Sequence, residues 1–136
     1  MSPDTKQICG IILLTVPTIQ YGGFFLLKIL SGQQGTTLTD FQRSMFRAGH
    51  AHAGVLVIFA LIAQILTDEA ALGSVAEWIV RDGFTAAAIL VSGGFFAAAA
   101  GKNRIKPNKY IFILYTGILV LAIATIILGI GLIRNS

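Results

Sequence analysis

The chain has 136 residues, of which 55% belong to the hydrophobic set and only 12% are charged, and its mean hydropathy is +0.81. Soluble domains carry roughly 25% charged residues, so this composition argues against a water-soluble globular protein. Four stretches carry no charge: residues 7–27, 48–67, 83–101 and 110–133. Each is long enough to cross a hydrocarbon core about 30 Å thick. We therefore expect an all-α, four-helix transmembrane bundle that forms one integral membrane domain over residues 1–136.

Charge and motifs narrow the functional classes. The net charge of +4 comes from basic residues that flank the apolar stretches, where anionic lipid and membrane insertion explain them, so the bilayer and not nucleic acid is the expected partner. Cys9 is the only cysteine, and it can form neither an internal disulfide nor a CxxC motif. We interpret it as a small buried hydrophobic residue. Because there is no G-x-S-x-G motif, P-loop or carboxylate pair at membrane depth, the sequence does not indicate an enzyme.

The first predicted helix, residues 8–30, is interrupted by Pro17, which predicts a kink near Leu13. Polar side chains surround the proline, and in a membrane they are expected to face protein or trapped water. They are Thr15, Thr18, Gln20 and Tyr21. One interpretation is a structural kink whose neighbouring glycines, residues 22–23, pack against another helix. The other interpretation is a ligand pocket.

The second helix follows a polar loop at residues 31–37. Thr39 and Gln42 match the S/T-x-x-E/Q capping box, which predicts a helix that begins near Thr39 and ends near residue 67. Its first turns are amphipathic and are expected at the level of the lipid headgroups.

The third and fourth helices are predicted at residues 77–101 and 109–133. Trp78 is typical of a membrane interface, and Glu77 and Arg81 have the i,i+4 spacing of an ion pair. Small residues follow at four-residue spacing, which predicts that helix three lies near the bundle centre. One line is Gly93, Ala97 and Gly101, and the next is Gly94 and Ala98. The last helix is almost entirely aliphatic and is expected to face lipid.

The loops after helices one and three would lie on the same side of the membrane and, with the helix ends that flank them, carry seven of the ten Lys and Arg residues. The opposite side has five of the six acidic residues. The positive-inside rule therefore predicts cytoplasmic basic loops and both termini on the non-cytoplasmic side, in what we expect to be a bacterial cytoplasmic membrane.

The segment of residues 47–54, R-A-G-H-A-H-A-G, contains both histidines of the chain, just inside the cytoplasmic end of helix two and about one turn below the lipid headgroups. Ionisable side chains at this depth are costly and mark candidate functional sites. His50 and His52 differ by about 200° around the helix, so they cannot clamp one metal ion as an i,i+4 pair does. Either each histidine serves a different partner, or one faces the bundle and the other faces a second protomer.

This H-x-H pattern resembles the helix of haem–copper oxidases in which two histidines ligate different haems from opposite faces. The resemblance covers residues 50–52, and the copper-ligating histidines of that family have no counterpart here. The wider segment is similar to one in uncharacterised small four-helix bacterial membrane proteins.

Several functional interpretations stay open. The histidines could be purely structural, or they could bind a ligand, with haem or quinone as the first candidates. The candidate cofactor site comprises Arg47, His50, His52 and Tyr21, with His50 and His52 as the candidate metal ligands. Such a protein would be an accessory, ligand-binding membrane protein that acts as a homo-oligomer or as the subunit of a larger membrane complex. The alternative is a small oligomeric transporter or channel built around the polar first helix.

Overall fold

The computed structural model describes residues 1–33 and 38–136, and the described residues form four α-helices. They are α1 (Pro3–Leu30), α2 (Asp40–Glu69), α3 (Ser74–Ala99) and α4 (Ile111–Arg134). All four are long and apolar enough to cross a membrane, which confirms the predicted all-α, four-helix architecture. Part of the predicted polar loop, residues 34–37, lies outside the described residues.

The start of α2 has the predicted capping box. Thr39 Oγ1 accepts from Gln42 N at 3.2 Å, and Gln42 Oε1 accepts from Thr39 N at 3.3 Å. The side-chain amide of Gln42 also bonds to the end of α3. Its Nε2 donates to Ala99 O at 3.0 Å and to Gly101 O at 2.8 Å. It thereby satisfies carbonyl groups that the end of α3 leaves without helical partners. One local cap motif therefore also holds the start of α2 against the end of α3.

The helices pack mainly in chain order, α1 on α2, α2 on α3 and α3 on α4. Half of the most apolar stretch of α3 is buried, compared with 11% for α1. This confirms the prediction that α3 lies near the centre of the bundle. Much of the buried core is alanine, including Ala60, Ala63 and Ala124, packed around the fully buried Phe84. Small side chains of this kind let helix backbones approach closely.

Helix four, which we expected to face lipid, also packs closely on α3 along one side. A Cβ atom placed on Gly94 would lie 2.5 Å from Leu114 N, and one placed on Gly117 would lie 2.7 Å from Val91 N. The backbones of α3 and α4 are therefore in direct contact. Of the two predicted lines of small residues, Gly94 and Ala98 are buried, whereas Gly93 is exposed. Gly101 lies beyond the end of α3.

The most peripheral helix is α1. It continues as a helix through Pro17. The four polar side chains near the proline are all exposed: Thr15, Thr18, Gln20 and Tyr21. Of these, Thr15 also lines a small cavity between α1, α2 and α3, in line with the expectation that polar groups of this helix face protein or trapped water. The two threonine hydroxyls bond back to their own helix, to Ile12 O and Thr15 O, both at 2.6 Å.

The two ends of the bundle differ in chemistry. We call the end where α2 begins and α1 and α3 finish the histidine end, and the opposite end the arginine end, after His50, His52 and Arg81. Both chain termini lie at the arginine end, where Ser2 N donates to Asp68 Oδ2 at 2.9 Å and Asn135 Nδ2 donates to Glu69 O.

Candidate functional site

His50 faces into the bundle. Its side chain is half-buried and lies over the two adjacent glycines of α1. A Cβ atom on Gly23 would be 3.0 Å from both Cε1 and Nε2 of the imidazole, and one on Gly22 would be 3.7 Å from Nδ1. Only glycine at residue 23 leaves room for the ring without a shift. The glycine pair of α1 therefore forms a notch that the His50 ring fills.

His52 faces away from that notch. Its ring is exposed and lies beside Phe95 of α3, with the ring centroids 4.9 Å apart. The two histidines thus point to different sides of α2, as their spacing predicts.

One hydrogen bond fixes the chemistry of His52. Nδ1 lies 2.8 Å from Ala48 O, one turn earlier in α2. A carbonyl oxygen can only accept, so Nδ1 carries the proton, and in the neutral form of the ring the lone pair is then on Nε2. Metal-ligating histidines usually have this arrangement, in which one ring nitrogen donates to a backbone carbonyl and the other binds the metal. The local backbone therefore already orients His52 as a single-atom ligand.

The other two predicted site residues are exposed side chains. Arg47 is exposed, and Tyr21 is 73% exposed on the outward side of α1. Gly22 and Gly23, the next two residues along α1, provide the contact to His50 instead. In residues 1–33 and 38–136, no three His, Cys, Asp or Glu side chains come together as a metal site. The histidine end therefore presents two separate imidazoles, of which only His52 has a hydrogen-bonded ring and an exposed position.

A second polar cluster, at the arginine end, was not predicted. Arg81 is 4% exposed, and its guanidinium forms ion pairs with Asp68 at 2.8 Å and Glu77 at 2.9 Å. Its Nη1 also donates to Thr5 Oγ1 at 2.8 Å and to Gln64 O at 3.2 Å. The guanidinium therefore joins three helices, with Thr5 from α1, Gln64 and Asp68 from α2 and Glu77 from α3.

The partners of Arg81 also bind one another. Thr5 Oγ1 donates to Asp68 Oδ1 at 2.6 Å, and Gln64 Nε2 donates to Arg81 O at 3.0 Å. Gln64 and Thr5 are fully buried. Such a buried charge is tolerable only when it is paired and its donors are satisfied, and both conditions hold here. The cluster has the properties of an interhelical clamp.

Only some of the contacts in this clamp can be predicted from the sequence. The Glu77–Arg81 pair follows from its i,i+4 spacing and is confirmed. Asp82, the acidic residue next to Arg81 in the sequence, is exposed, whereas Arg81 is buried against Asp68. Gln64, a lone amide inside an uncharged stretch, was the available indication of a buried polar contact. Cys9 is buried at 8% exposure, as predicted, on the packed side of α1.

No known protein family, curated protein or solved structure matches this chain.

Proposed function

We propose that this chain is an integral membrane protein of the bacterial cytoplasmic membrane that binds haem through His52, in the cytoplasmic half of the bundle. The observation that carries the proposal is the hydrogen bond from Nδ1 to Ala48 O, which leaves the exposed Nε2 with a free lone pair. Iron in haem proteins is commonly held by such a nitrogen. The orientation rests on the seven basic residues in and beside the two helix connections at the histidine end.

The surroundings of His52 fit a flat, apolar group. The neighbouring residue Ala51 is small and exposed, so it does not shield the imidazole. Phe95 lies against one side of the ring and contributes an aromatic surface. An exposed imidazole in the hydrocarbon region is costly when it stands alone, and a bound porphyrin would cover it. Haem supplies a redox-active iron, while the chain supplies the ligand, its orientation and an apolar environment.

The hydrogen bond from His52 Nδ1 to Ala48 O favours haem over quinone. A quinone carbonyl needs a hydrogen-bond donor, but the available Nε2 of the neutral ring is an acceptor. Arg47 could donate, yet it is exposed and forms no hydrogen bond with either imidazole among the described residues. We therefore assign a ligand that accepts a lone pair, namely a metal centre, and not a carbonyl compound.

The test is a visible spectrum of purified protein supplied with haem, compared among the parent and two single variants. We expect a Soret band that His52→Ala abolishes and that His50→Ala retains, because His50 is packed against α1. The two variants are matched, since both remove an imidazole from the same helix within two residues. A colourless parent protein, or a band that depends on His50 alone, would contradict the proposal.

The alternative is a small oligomeric transporter or channel along α1, and the exposed polar residues of that helix favour it. Two of them, Thr15 and Thr18, already use their hydroxyls within the helix, which leaves Gln20 and Tyr21 with free polar groups. Two side chains one residue apart do not line a path across a core about 30 Å thick. Solute flux into vesicles that contain the purified protein, reduced by Gln20→Leu, would favour this alternative over haem binding.

A further inference from the structure

The side of α1 that faces away from the bundle has a regular pattern. Six exposed residues on it are spaced alternately three and four residues apart, and we call them the outer stripe: Gly10, Leu13, Pro17, Gln20, Phe24 and Leu27. This is the a/d spacing of the contact seam between two paired helices. Packed residues of α1 such as Leu26 and Ile29 lie on its other side. The outer stripe is therefore a helix-pairing seam that has no partner within the described residues.

Gln20 indicates that protein, and not lipid, covers this seam. Its position is about 15 Å from the Leu30 end of α1 by helical rise, which is about half the thickness of a hydrocarbon core. Its amide is exposed and takes part in none of the side-chain hydrogen bonds of the described residues. Lipid tails offer no hydrogen-bonding groups, so an amide left there is costly. The partner must therefore present a hydrogen-bonding group at the same depth.

A second copy of the chain meets this requirement. Copies inserted in the same orientation are related by a two-fold axis along the membrane normal, so each residue on the axis meets its own counterpart at the same depth. A carboxamide is self-complementary, because each group has both a donor NH2 and an acceptor oxygen. Gln20 would therefore satisfy Gln20 of the other copy. A single polar residue in an otherwise apolar seam also fixes the register of the pair.

We infer that the protein forms a parallel homodimer in the membrane through the outer stripe of α1, with Gln20 bonded to Gln20 at its centre. Pro17 lies one turn away on the same stripe, and Gly10 lets the two backbones approach near the arginine end. The interface lies on the outward side of α1 and leaves the His52 site on the far side of α2 free.

Cysteine crosslinking in membranes tests the contact directly. In a Cys9→Ala background, Leu13→Cys should give a disulfide-linked dimer on oxidation. The matched control is Ile126→Cys on α4, which has similar exposure, 60% compared with 55%, and a similar depth. It should stay monomeric. Equal crosslinking at both positions, crosslinking of the control alone, or none at either position would overturn the proposal.

A second measurement tests the amide. Energy transfer between labelled copies in vesicles, followed as lipid dilutes the protein, gives the dimer dissociation constant. Gln20→Leu should raise this constant about 3- to 15-fold, the range expected for an interhelical polar contact. Thr18→Val is the control, since its hydroxyl bonds within α1. No difference between the two variants, or co-purification of a monomer with another protein on α1, would refute the Gln20 pair. Neither variant alters His52, so the visible spectrum tests haem binding independently of dimer formation.

Discussion

Removing the charge of Asp68 should unfold the arginine end more than any other single carboxylate change. The Asp68 side chain is 13% exposed and accepts from Arg81 at 2.8 Å, Thr5 at 2.6 Å and Ser2 at 2.9 Å. Asp68→Asn keeps the shape but leaves Arg81 with one ion-pair partner, Glu77. Breaking a buried pair typically costs about 3–5 kcal/mol, and the remaining Glu77 contact places the expected loss near the lower limit, about 3 kcal/mol. That is a shift of about two orders of magnitude in the folding equilibrium.

The assay is reversible unfolding of the purified protein in lipid–detergent mixtures, followed by helical circular dichroism. Asp82→Asn is the matched control, because Asp82 is exposed and belongs to none of the ion pairs of the described residues. It should change stability by less than about 0.5 kcal/mol. The double variant with Arg81→Met should lose less than the sum of the single losses, since the two residues interact directly. Equal stability of the Asp68 and Asp82 variants would refute the assignment of Arg81 as a clamp.

Three further substitutions test the packing. Gly23→Ala should lower the free energy of unfolding by about 1–3 kcal/mol, since the added methyl group would lie 3.0 Å from the His50 ring. An unchanged thermal midpoint would show that Gly23 of α1 does not pack against His50 of α2. Gly117→Ala should also destabilise the protein by about 1–3 kcal/mol in the same assay. Gly129 has open space around it, so Gly129→Ala is the control and should not destabilise the protein. Similar thermal midpoints for the two variants would argue against close packing of α3 and α4. Gln42→Leu should cost about 2 kcal/mol and increase amide hydrogen exchange at the end of α3, since two carbonyls lose their donor; unaltered exchange there would count against the contact.

Hydropathy and local motifs predict the helices well because the bilayer imposes them. An uncharged stretch of about 20 residues has to satisfy its backbone internally, which makes helix the favoured structure wherever such a stretch occurs. The capping box at Thr39 is local and is equally readable. The order of burial is not local. The aliphatic composition of α4 suggested a lipid-facing helix, whereas the position of Gly117 opposite α3 decides its packing. Composition does not contain that information.

The same limit applies to the candidate site. The two-residue spacing of the histidines correctly places them on different sides of α2, because it depends only on helical geometry. Which side meets α1 depends on the rotation of each helix, and this is why Tyr21 was expected near His50 while the neighbouring glycines make the contact. Arg81 shows a further limit. Its partner Asp68 is 13 residues away across the α2–α3 turn, and Thr5 lies in another helix. Only the folded arrangement brings them together.

The distribution of polar contacts indicates that the two histidines have different roles. The Arg81 clamp holds α1, α2 and α3 together at one end, and Gln42 holds α2 to α3 at the other. Between these points, His50 fills a notch in α1 and so contributes to packing. His52 joins no helices by hydrogen bonds, since its only such contact among the described residues is with its own helix. An exposed polar ring is a cost in a membrane, and the proposed haem on Nε2 would offset that cost. Packing therefore accounts for His50, whereas the exposed position of His52 is what we expect if it binds the proposed ligand.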